Sequence, residues 1–286
     1  MFFIIFIKIS YIVIEVGEVM RKINRVKLFV NDNEKSVLVA KDLELELKKY
    51  GFKIVNKNYD LAISVGGDGS FLRMVKETKF NSDIYYIGVN SGTLGFLQEI
   101  DIKDSIDFVK RLNSNNYKVE NISIQETKII TENDIYHFNS LNEIVVRNID
   151  FNTLKVPIYV DNELLENFTG DGVLISTSTG STAYNMSFGG SIVYNTLETL
   201  SITPIAPLNN KAYRTLVNTV IVPSNKVITL LPNSMNNDIF IMIDGVNYKI
   251  DDVIKIETKI ESKSIKCLRM NSFHFIKIVN DKILEK

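Results

Sequence analysis

The run Val65-Gly66-Gly67-Asp68-Gly69-Ser70 sets one carboxylate among three glycines, a combination suited to chemistry on a phosphate-bearing ligand. Asp60-Leu61-Ala62-Ile63-Ser64 before it reads as a buried strand, and Phe71-Leu72-Arg73-Met74-Val75 after it has helical spacing. A strand, a glycine turn and a helix start together bind anions, because free backbone N–H groups and the helix dipole both favour phosphate. The glycines let a ligand approach the backbone with no Cβ in the way. Asp68 does not belong in a simple phosphate cradle, since its charge repels phosphate. Its chemistry is that of a cation holder or a proton acceptor, and the plainer alternative is a helix cap.

A second group of chemically able residues follows a second glycine–aspartate turn. Thr169-Gly170-Asp171-Gly172 leads into Val173-Leu174-Ile175-Ser176, and then comes Thr179-Gly180-Ser181-Thr182-Ala183-Tyr184-Asn185, with Gly189-Gly190 beyond. Hydroxyls and backbone N–H groups match ribose and phosphate oxygens, and a tyrosine offers a flat face to a base. An isolated run of this kind would read as a Ser/Thr turn between strands. The neighbouring glycines favour a ligand site.

The elements that must position these groups fall into two rhythms. Residues 25–30 read as a first strand, and 34–50 as a helix with Val37, Ala40, Leu43, Leu47 and Tyr50 on one stripe, stopped by Gly51. Residues 52–55, 61–65 and 85–89 are short apolar runs. Residues 104–112 form another helix, with Ile106, Val109 and Leu112 inward and Asp104 as its cap. Strands alternating with helices imply a parallel sheet, whose ligands sit at the carboxyl ends of strands. From about residue 123 the pattern becomes all-β: 156–160, 220–222, 227–231, 239–243, 253–256 and 265–268 are short runs split by turn residues. Phe275, Ile276, Val279 and Ile283 resume helical spacing, and that helix is expected to pack back on the first domain. The expected organisation is an α/β nucleotide-binding domain over 20–120 plus 269–286, and a β-rich domain over 121–268. Residues 1–19 are expected to be an extension or tail, the alternative being an integral first strand. That apolar stretch lacks the parts of a signal peptide and is too interrupted to span a bilayer.

Composition excludes several function classes. The net charge of −1 over 286 residues gives no basic excess for nucleic acid. One cysteine, Cys267, and two separated histidines, His137 and His274, offer neither a disulfide nor a zinc site. A reducing cytoplasm fits best, Cys267 is expected to be a core thiol, and both histidines to be packing or surface residues. No Gly-x-x-x-x-Gly-Lys-Ser/Thr is present, and Leu72 stands where a dinucleotide fingerprint beginning at Gly67 needs its third glycine.

The motifs together carry a family resemblance. Residues 66–73, Val89-Asn90-Ser91-Gly92-Thr93-Leu94-Gly95-Phe96-Leu97, Leu141-Asn142-Glu143 and the stretch from Asp171 through Tyr184 to Gly190 resemble the bacterial NAD kinases in order and spacing. Lipid kinases and phosphofructokinases share the Gly-Gly-Asp-Gly turn alone. The Thr-Gly-Ser-Thr-Ala-Tyr run with Asn-Glu upstream is far more specific. The resemblance implies an N-terminal α/β domain with a parallel sheet, of the NAD kinase/diacylglycerol kinase-like kind, a C-terminal all-β domain and an active site between them. It implies transfer of the γ-phosphoryl of ATP, or of polyphosphate, to the 2′-hydroxyl of the adenosine ribose of NAD, with a divalent cation, Mg²⁺, carried by ATP. By match to the motifs, Asp68 accepts the hydroxyl proton, Gly69 and Arg73 lie near nucleotide phosphates, and Asn142 and Glu143 hold the dinucleotide. Asp171 fixes the nicotinamide end, and Thr182, Ala183, Tyr184, Asn185, Met186 and Ser187 frame the adenine or nicotinamide part. Thr169, Thr179, Ala206 and Asp244 are expected to join the substrate- or nucleotide-binding set. Family members are homo-oligomers in which a neighbour completes the NAD site, so a homotetramer or homodimer is expected, with no nucleic-acid or membrane partner. Three positions depart from the pattern: Thr169 replaces a usual arginine, Thr93 a usual histidine and Ser178 a usual proline. The competing readings are a lipid or sugar kinase, which should lack the 179–185 run and the Asn142-Glu143 pair, and a non-catalytic NAD-binding sensor, which should keep the second loop but lack Asp68.

Overall fold

The computed structural model describes residues 22–92, 95–148, 153–232, 239–270 and 274–284. The segment 1–19 and Thr93 lie outside them. Strand β1 (Arg25–Val30) pairs in parallel with β2 (Lys53–Ile54) and β3 (Leu61–Gly66), and β3 pairs in parallel with β4 (Tyr85–Asn90). Every residue of β3 and β4 is buried, as in a parallel sheet covered on both faces. Alternate residues face opposite layers. Ile63, Val65 and Ile87 pack with α1 (Glu34–Lys49) and α3 (Ser105–Asn113), while Ala62 and Tyr86 pack with α2 (Asp68–Glu77).

The helices form where periodicity places them, with local corrections. Asn33 caps α1 by accepting from Ser36 N–H at 2.8 Å, and Gly51 at φ +85° follows its end. The buried stripe is Ser36, Val39, Ala40, Leu43 and Leu47, with Val37 and Tyr50 only half-buried. In α3 the inward residues are Phe108, Val109 and Leu112, whereas Ile106 is 54% exposed. Asp104 makes no side-chain cap. Asp101 instead caps the short turn Ile102–Asp104, accepting from Lys103 N–H at 3.3 Å.

The parallel sheet continues into the β region instead of ending. Residues 253–256 and 265–268, read as two runs, belong to one strand, β16 (Val253–Arg269), with a register irregularity between Ile260 and Ser264. Lys266 and Cys267 of β16 pair in parallel with Tyr85 and Tyr86 of β4. Along its length β16 pairs antiparallel with β5 (Lys118–Thr131), and further out with β13 (Ile228–Leu230). The first sheet is therefore mixed, and strands β5 and β16 run through both halves of the molecule. Beyond β13 lie β8 (Leu154–Val160) and β9 (Glu163–Gly170), while β6 (Ile135–Ser140) pairs with β5.

A second, antiparallel sheet runs β12 (Val220–Pro223), β11 (Thr199–Ile205), β10 (Gly172–Thr177), β7 (Glu143–Asn148), β14 (Ile239–Ile243) and β15 (Val246–Ile250). Its inner residues Ile144, Val146, Val173, Ile175 and Ile241 meet Val156, Ile158, Leu230 and Ile256 of the first sheet in one core. Cys267 is buried among apolar residues, and burial pushes its thiol up to about 12. Both histidines are exposed. The terminal helix α5 (Phe275–Val279) buries Phe275 against Tyr194, ring centroids 5.0 Å apart, and leaves Ile276 63% exposed. Beyond it, Lys282 Nζ lies 5.0 Å from the Phe96 ring centroid. The segment thus reaches from the β region to a loop of the first domain. No helix among the described residues is long and apolar enough to cross a membrane.

Where β16 leaves β4, Arg269 is 8% exposed and bonds Glu120, and its Nη1 lies 3.2 Å from Glu99 Oε2. Met270 N–H donates to Glu99 at 2.8 Å. Removing the guanidinium would strand two enclosed carboxylates. We expect Arg269→Leu to lower the urea midpoint by the equivalent of about 3–5 kcal/mol. An unchanged midpoint would show that the carboxylates are not dependent on Arg269.

Candidate active site

The chain leaves β3 at Gly66, where a Cβ would sit 2.2 Å from Ser70 Oγ. Gly67 holds the extended N-cap position of α2, and neither Gly67 nor Gly69 has any atom within 4 Å of where a Cβ would lie. This glycine face is open to a ligand. Asp68 does not cap its helix. Its carboxylate accepts from Phe96 N–H at 2.8 Å and Leu97 N–H at 2.9 Å, across to the loop after β4. Gly95 makes that approach possible, since a Cβ there would lie 1.7 Å from Asp68 Oδ1. Buried Gln98 secures the turn by donating to Gly67 C=O at 2.6 Å while accepting from Ser64 Oγ at 3.3 Å. Sequence reading passed over Gln98, and its only signal was a polar residue within an apolar run.

Asn142 and Glu143 enter β7 beside the hairpin that joins β14 to β15. Asp244 and Gly245 form its tip, both at positive φ (47° and 77°), as a two-residue Asp-Gly hairpin turn requires. The Asp244 carboxylate turns inward and accepts from the N–H groups of Leu141 (2.8 Å), Asn142 (2.8 Å) and Glu143 (3.2 Å). Burial raises its pKa against the pull of these bonds. Gly180 presses on the other side, where a Cβ would lie 2.1 Å from Asn142 C=O. Two side-chain oxygens in this nest, Asn142 Oδ1 and Glu143 Oε2, are buried without a hydrogen-bond partner. Buried polar atoms are nearly always paired, so an orphaned couple marks a place for a ligand. Burial, then the nearby Asp244 charge, pushes the Glu143 carboxyl up to about 8, with the Tyr184 N–H opposing.

The Ser/Thr run becomes a tight turn, Thr179–Thr182, followed by the short helix α4 (Tyr184–Ser187). Thr179, Ala183, Tyr184 and Met186 are half-exposed, Thr182 is buried and Ser187 exposed. Tyr184 packs edge-on to Phe188 at 4.7 Å. Asn185 is fully buried, and its amide is engaged by Ser181 and Ser191 carbonyls and by Thr203 Oγ1. Its side chain holds the loop and presents nothing outward.

Gly69, Arg73 and Asp244 line one cavity of about 570 Å³, which connects the Asp68 turn to the hairpin beside Asn142 and Glu143. Thr169, Asp171 and Ala206 gather elsewhere. Asp171 N–H donates to Ile205 C=O at 3.0 Å, and Gly170 abuts Ala206 C=O. In the ladder Glu143 faces Ser176, while Arg147 faces Gly172, so Asp171 lies about 16 Å along β10 from the level of Glu143.

The sequence matches the ATP-NAD kinase N-terminal domain over residues 10–117 and the ATP-NAD kinase C-terminal domain over residues 141–266. The chain belongs to the ATP-NAD kinase family. A Finegoldia magna protein named NAD kinase is 40% identical over 236 residues, covering 80% of this chain and 86% of that one. One from Latilactobacillus sakei, also named NAD kinase, is 34% identical over 260 residues, covering 90% and 96%. The fold is that of yeast NADH kinase solved with NADH (TM-score 0.78, 21% identity, 92% of this chain and 88% of that one). It is equally that of an NAD kinase from Archaeoglobus fulgidus solved with ATP (TM-score 0.71, 21% identity, 92% and 99%). The chain carries both Asp68 and the Asn142–Glu143 pair, whereas a lipid or sugar kinase is expected to lack the pair and a sensor to lack Asp68.

Gly95→Ala tests the geometry directly. The new methyl must displace the Asp68 side chain, a flexible group, so the fold should persist with a melting temperature within a few degrees of the parent. Misplacing a reacting group by about 1 Å costs on the order of 100-fold in rate. We expect phosphoryl transfer to fall by about that factor, and full activity would sink the placement of Asp68.

Proposed function

We propose that the protein is a phosphotransferase that moves the γ-phosphoryl group of ATP to the 2′-hydroxyl of the adenosine ribose of NAD, giving NADP and ADP. The observation that carries this reading is one cavity lined both by Gly69, at the open turn beside Asp68, and by Asp244, which holds the strand entry where Asn142 Oδ1 and Glu143 Oε2 are buried without partners. The relatives named NAD kinase and the solved kinases with NADH or ATP support the choice of substrates.

The 2′-oxygen attacks the γ-phosphorus as the bond to the β-phosphate oxygen breaks, and the hydroxyl proton passes to Asp68. Most of the catalysis is positioning and charge stabilisation. The N–H groups of Phe96 and Leu97 hold the Asp68 carboxylate from behind, which fixes its direction toward the acceptor. The Gly67–Gly69 backbone and the N-terminus of α2 receive phosphate oxygens. Asn142 and Glu143 take the ribose hydroxyls, and the turn at Thr182, with Ala183 and Tyr184, flanks the dinucleotide. A divalent cation, Mg²⁺ in this reading, would come with ATP and would supply charge neutralisation at the phosphates, since phosphates plus one or two carboxylates suit that ion. Thr169, Asp171 and Ala206 serve the nicotinamide end, from a neighbouring subunit of a homo-oligomer, in keeping with their distance along β10 from Glu143. A cytoplasmic location belongs to the same reading.

Asp68→Asn keeps the shape and removes the base, so kcat for NADP formation should fall about 10²–10⁴-fold. Near-parental turnover in a folded protein would refute the assignment, and absence of NADP with any phosphoryl donor would refute the function.

Glu143 supplies a pH test. Its folded, ligand-free carboxyl is neutral below about 8. Ribose hydroxyls donate best to the ionised form, so binding lowers that pKa and releases a proton. Affinity for NAD should rise with pH through the window below about 8 and flatten above it. In Glu143→Gln the slope should vanish and affinity should drop about tenfold. An equal slope in both proteins would assign the titration to another group.

A further inference from the structure

The segment formed by α5 and the turn Asn280–Leu284 that continues it is held by little packing of its own. Of its residues only Phe275 is buried, while Ile276, Ile283 and Leu284 are 63%, 38% and 72% exposed. The turn is wound as a π-helix, a wide form frequent at functional sites. It carries Lys282 to the loop after β4, where Nζ lies 5.0 Å from the centroid of the Phe96 ring, within reach of a cation–π contact. That ring is half-buried and joins none of the hydrophobic clusters among the described residues. Phe96 is also one of the two residues whose N–H groups hold the Asp68 carboxylate, at 2.8 Å. Burial lowers the Lys282 pKa, and the Asp68 charge opposes that lowering.

We propose that Lys282 is a positioning residue for phosphoryl transfer, its ammonium clamping the Phe96 ring so that the Phe96 and Leu97 N–H groups stay on Asp68. Leu97 is anchored by burial in the cluster that holds Phe71 and Met74. Phe96 has no such anchor, and Lys282 supplies one. The plainer reading is a cation in the last turn of a helix, which the helix dipole favours wherever the side chain points. That reading leaves unexplained why Lys282 gives up solvent for an aromatic face while Lys277, in the same segment, stays exposed. An ammonium bonded to Asp68 itself would cover an oxygen that must meet a hydroxyl, and no ion pair joins the two side chains. Seated on the ring, the ammonium holds the loop and attracts the carboxylate while leaving it open. The proposal rests on the phosphoryl-transfer reading above and adds to it a residue outside every motif of the chain.

The full chain tests it with substitutions on both sides of the contact. Lys282→Gln removes the charge, Lys282→Arg keeps it, Phe96→Leu removes the ring but not the N–H, and Lys277→Gln is the control for charge alone. With ATP and NAD, kcat in Lys282→Gln should fall about three- to tenfold, the weight of one half-buried cation–π contact. KM for either substrate should stay within about twofold, because the clamp acts on the base and not on binding. Lys282→Arg should recover most of the loss, Lys277→Gln should match the parent, and Phe96→Leu combined with Lys282→Gln should be no slower than either alone. The Phe96 and Leu97 amides should exchange hydrogen faster in Lys282→Gln by about the same factor as the loss in kcat. Parental kcat in Lys282→Gln would overturn the proposal, as would a rise in KM at constant kcat or additive losses in the double variant. A parent protein that forms no NADP would instead overturn the functional reading, and amide exchange would still decide whether Lys282 clamps the loop.

Discussion

Everything that meets at Asp68 depends on β16 being hydrogen-bonded to β4 at one end and to β13 at the other. A ladder fixes both spacing and direction, so the parallel α/β layer and the β-sandwich cannot move independently without breaking it. That constraint sets the hairpin tip at Asp244 opposite α2, and so creates a cleft from two regions about 170 residues apart in sequence. Gln125 reinforces the junction from inside, donating to Ile175 C=O of the second sheet and Thr258 Oγ1 of β16. The rigid frame also explains why the glycines of the site are steric and not merely flexible. Gly95, Gly180 and Gly66 each stand where the frame has brought another atom within about 2 Å of a would-be Cβ.

How much of this could be read in advance follows from the range of the interactions involved. The β3–turn–α2 unit was legible because its signals are local: a buried apolar run, glycines, then helical spacing. The parallel order and the β-rich second half were legible for the same reason. The continuity of β16 was not, because its middle, from Glu257 to Ser264, is mostly polar and solvent-facing, and only pairing with β5 shows that it never leaves the sheet. Local period also misjudged Ile106 and Asp104. Phe108 wins the inward position in α3 because the core, and not the helix, selects the stripe.

The site divides in a similar way. Asp68 and the 179–185 run announced themselves by composition, and Asn142-Glu143 did so by resemblance. The role of Asp244 was open to a local reading, since Asp-Gly between two apolar runs is a strong hairpin signal. Nothing local reports that its side chain would reach back to three N–H groups of another strand. The cavity wall was least legible of all. Arg73 was placed near nucleotide phosphates by resemblance, but nothing local singled out Lys76, Phe138 or Tyr248, which only the fold sets across from one another.

Three carboxylates, Asp68, Glu143 and Asp244, lie on or beside the loops that frame the cavity, and the structure gives each a different environment. Asp68 has both oxygens held by backbone N–H donors of the loop after β4. Asp244 faces away from the cavity into three N–H groups, organising the strand entry instead of confronting phosphate. Glu143 has no such donor set, and burial pushes its carboxyl up to about 8. Similar side chains thus take three roles because their surroundings separate them. The cations lie apart from these: Arg73 and Lys76 line the cavity, and Lys282 brings its ammonium over Phe96, where Asp68 acts on it against the lowering effect of burial. The proposed reaction would use both charges from one helix, α2, which carries Asp68 at its start and Arg73 and Lys76 further along.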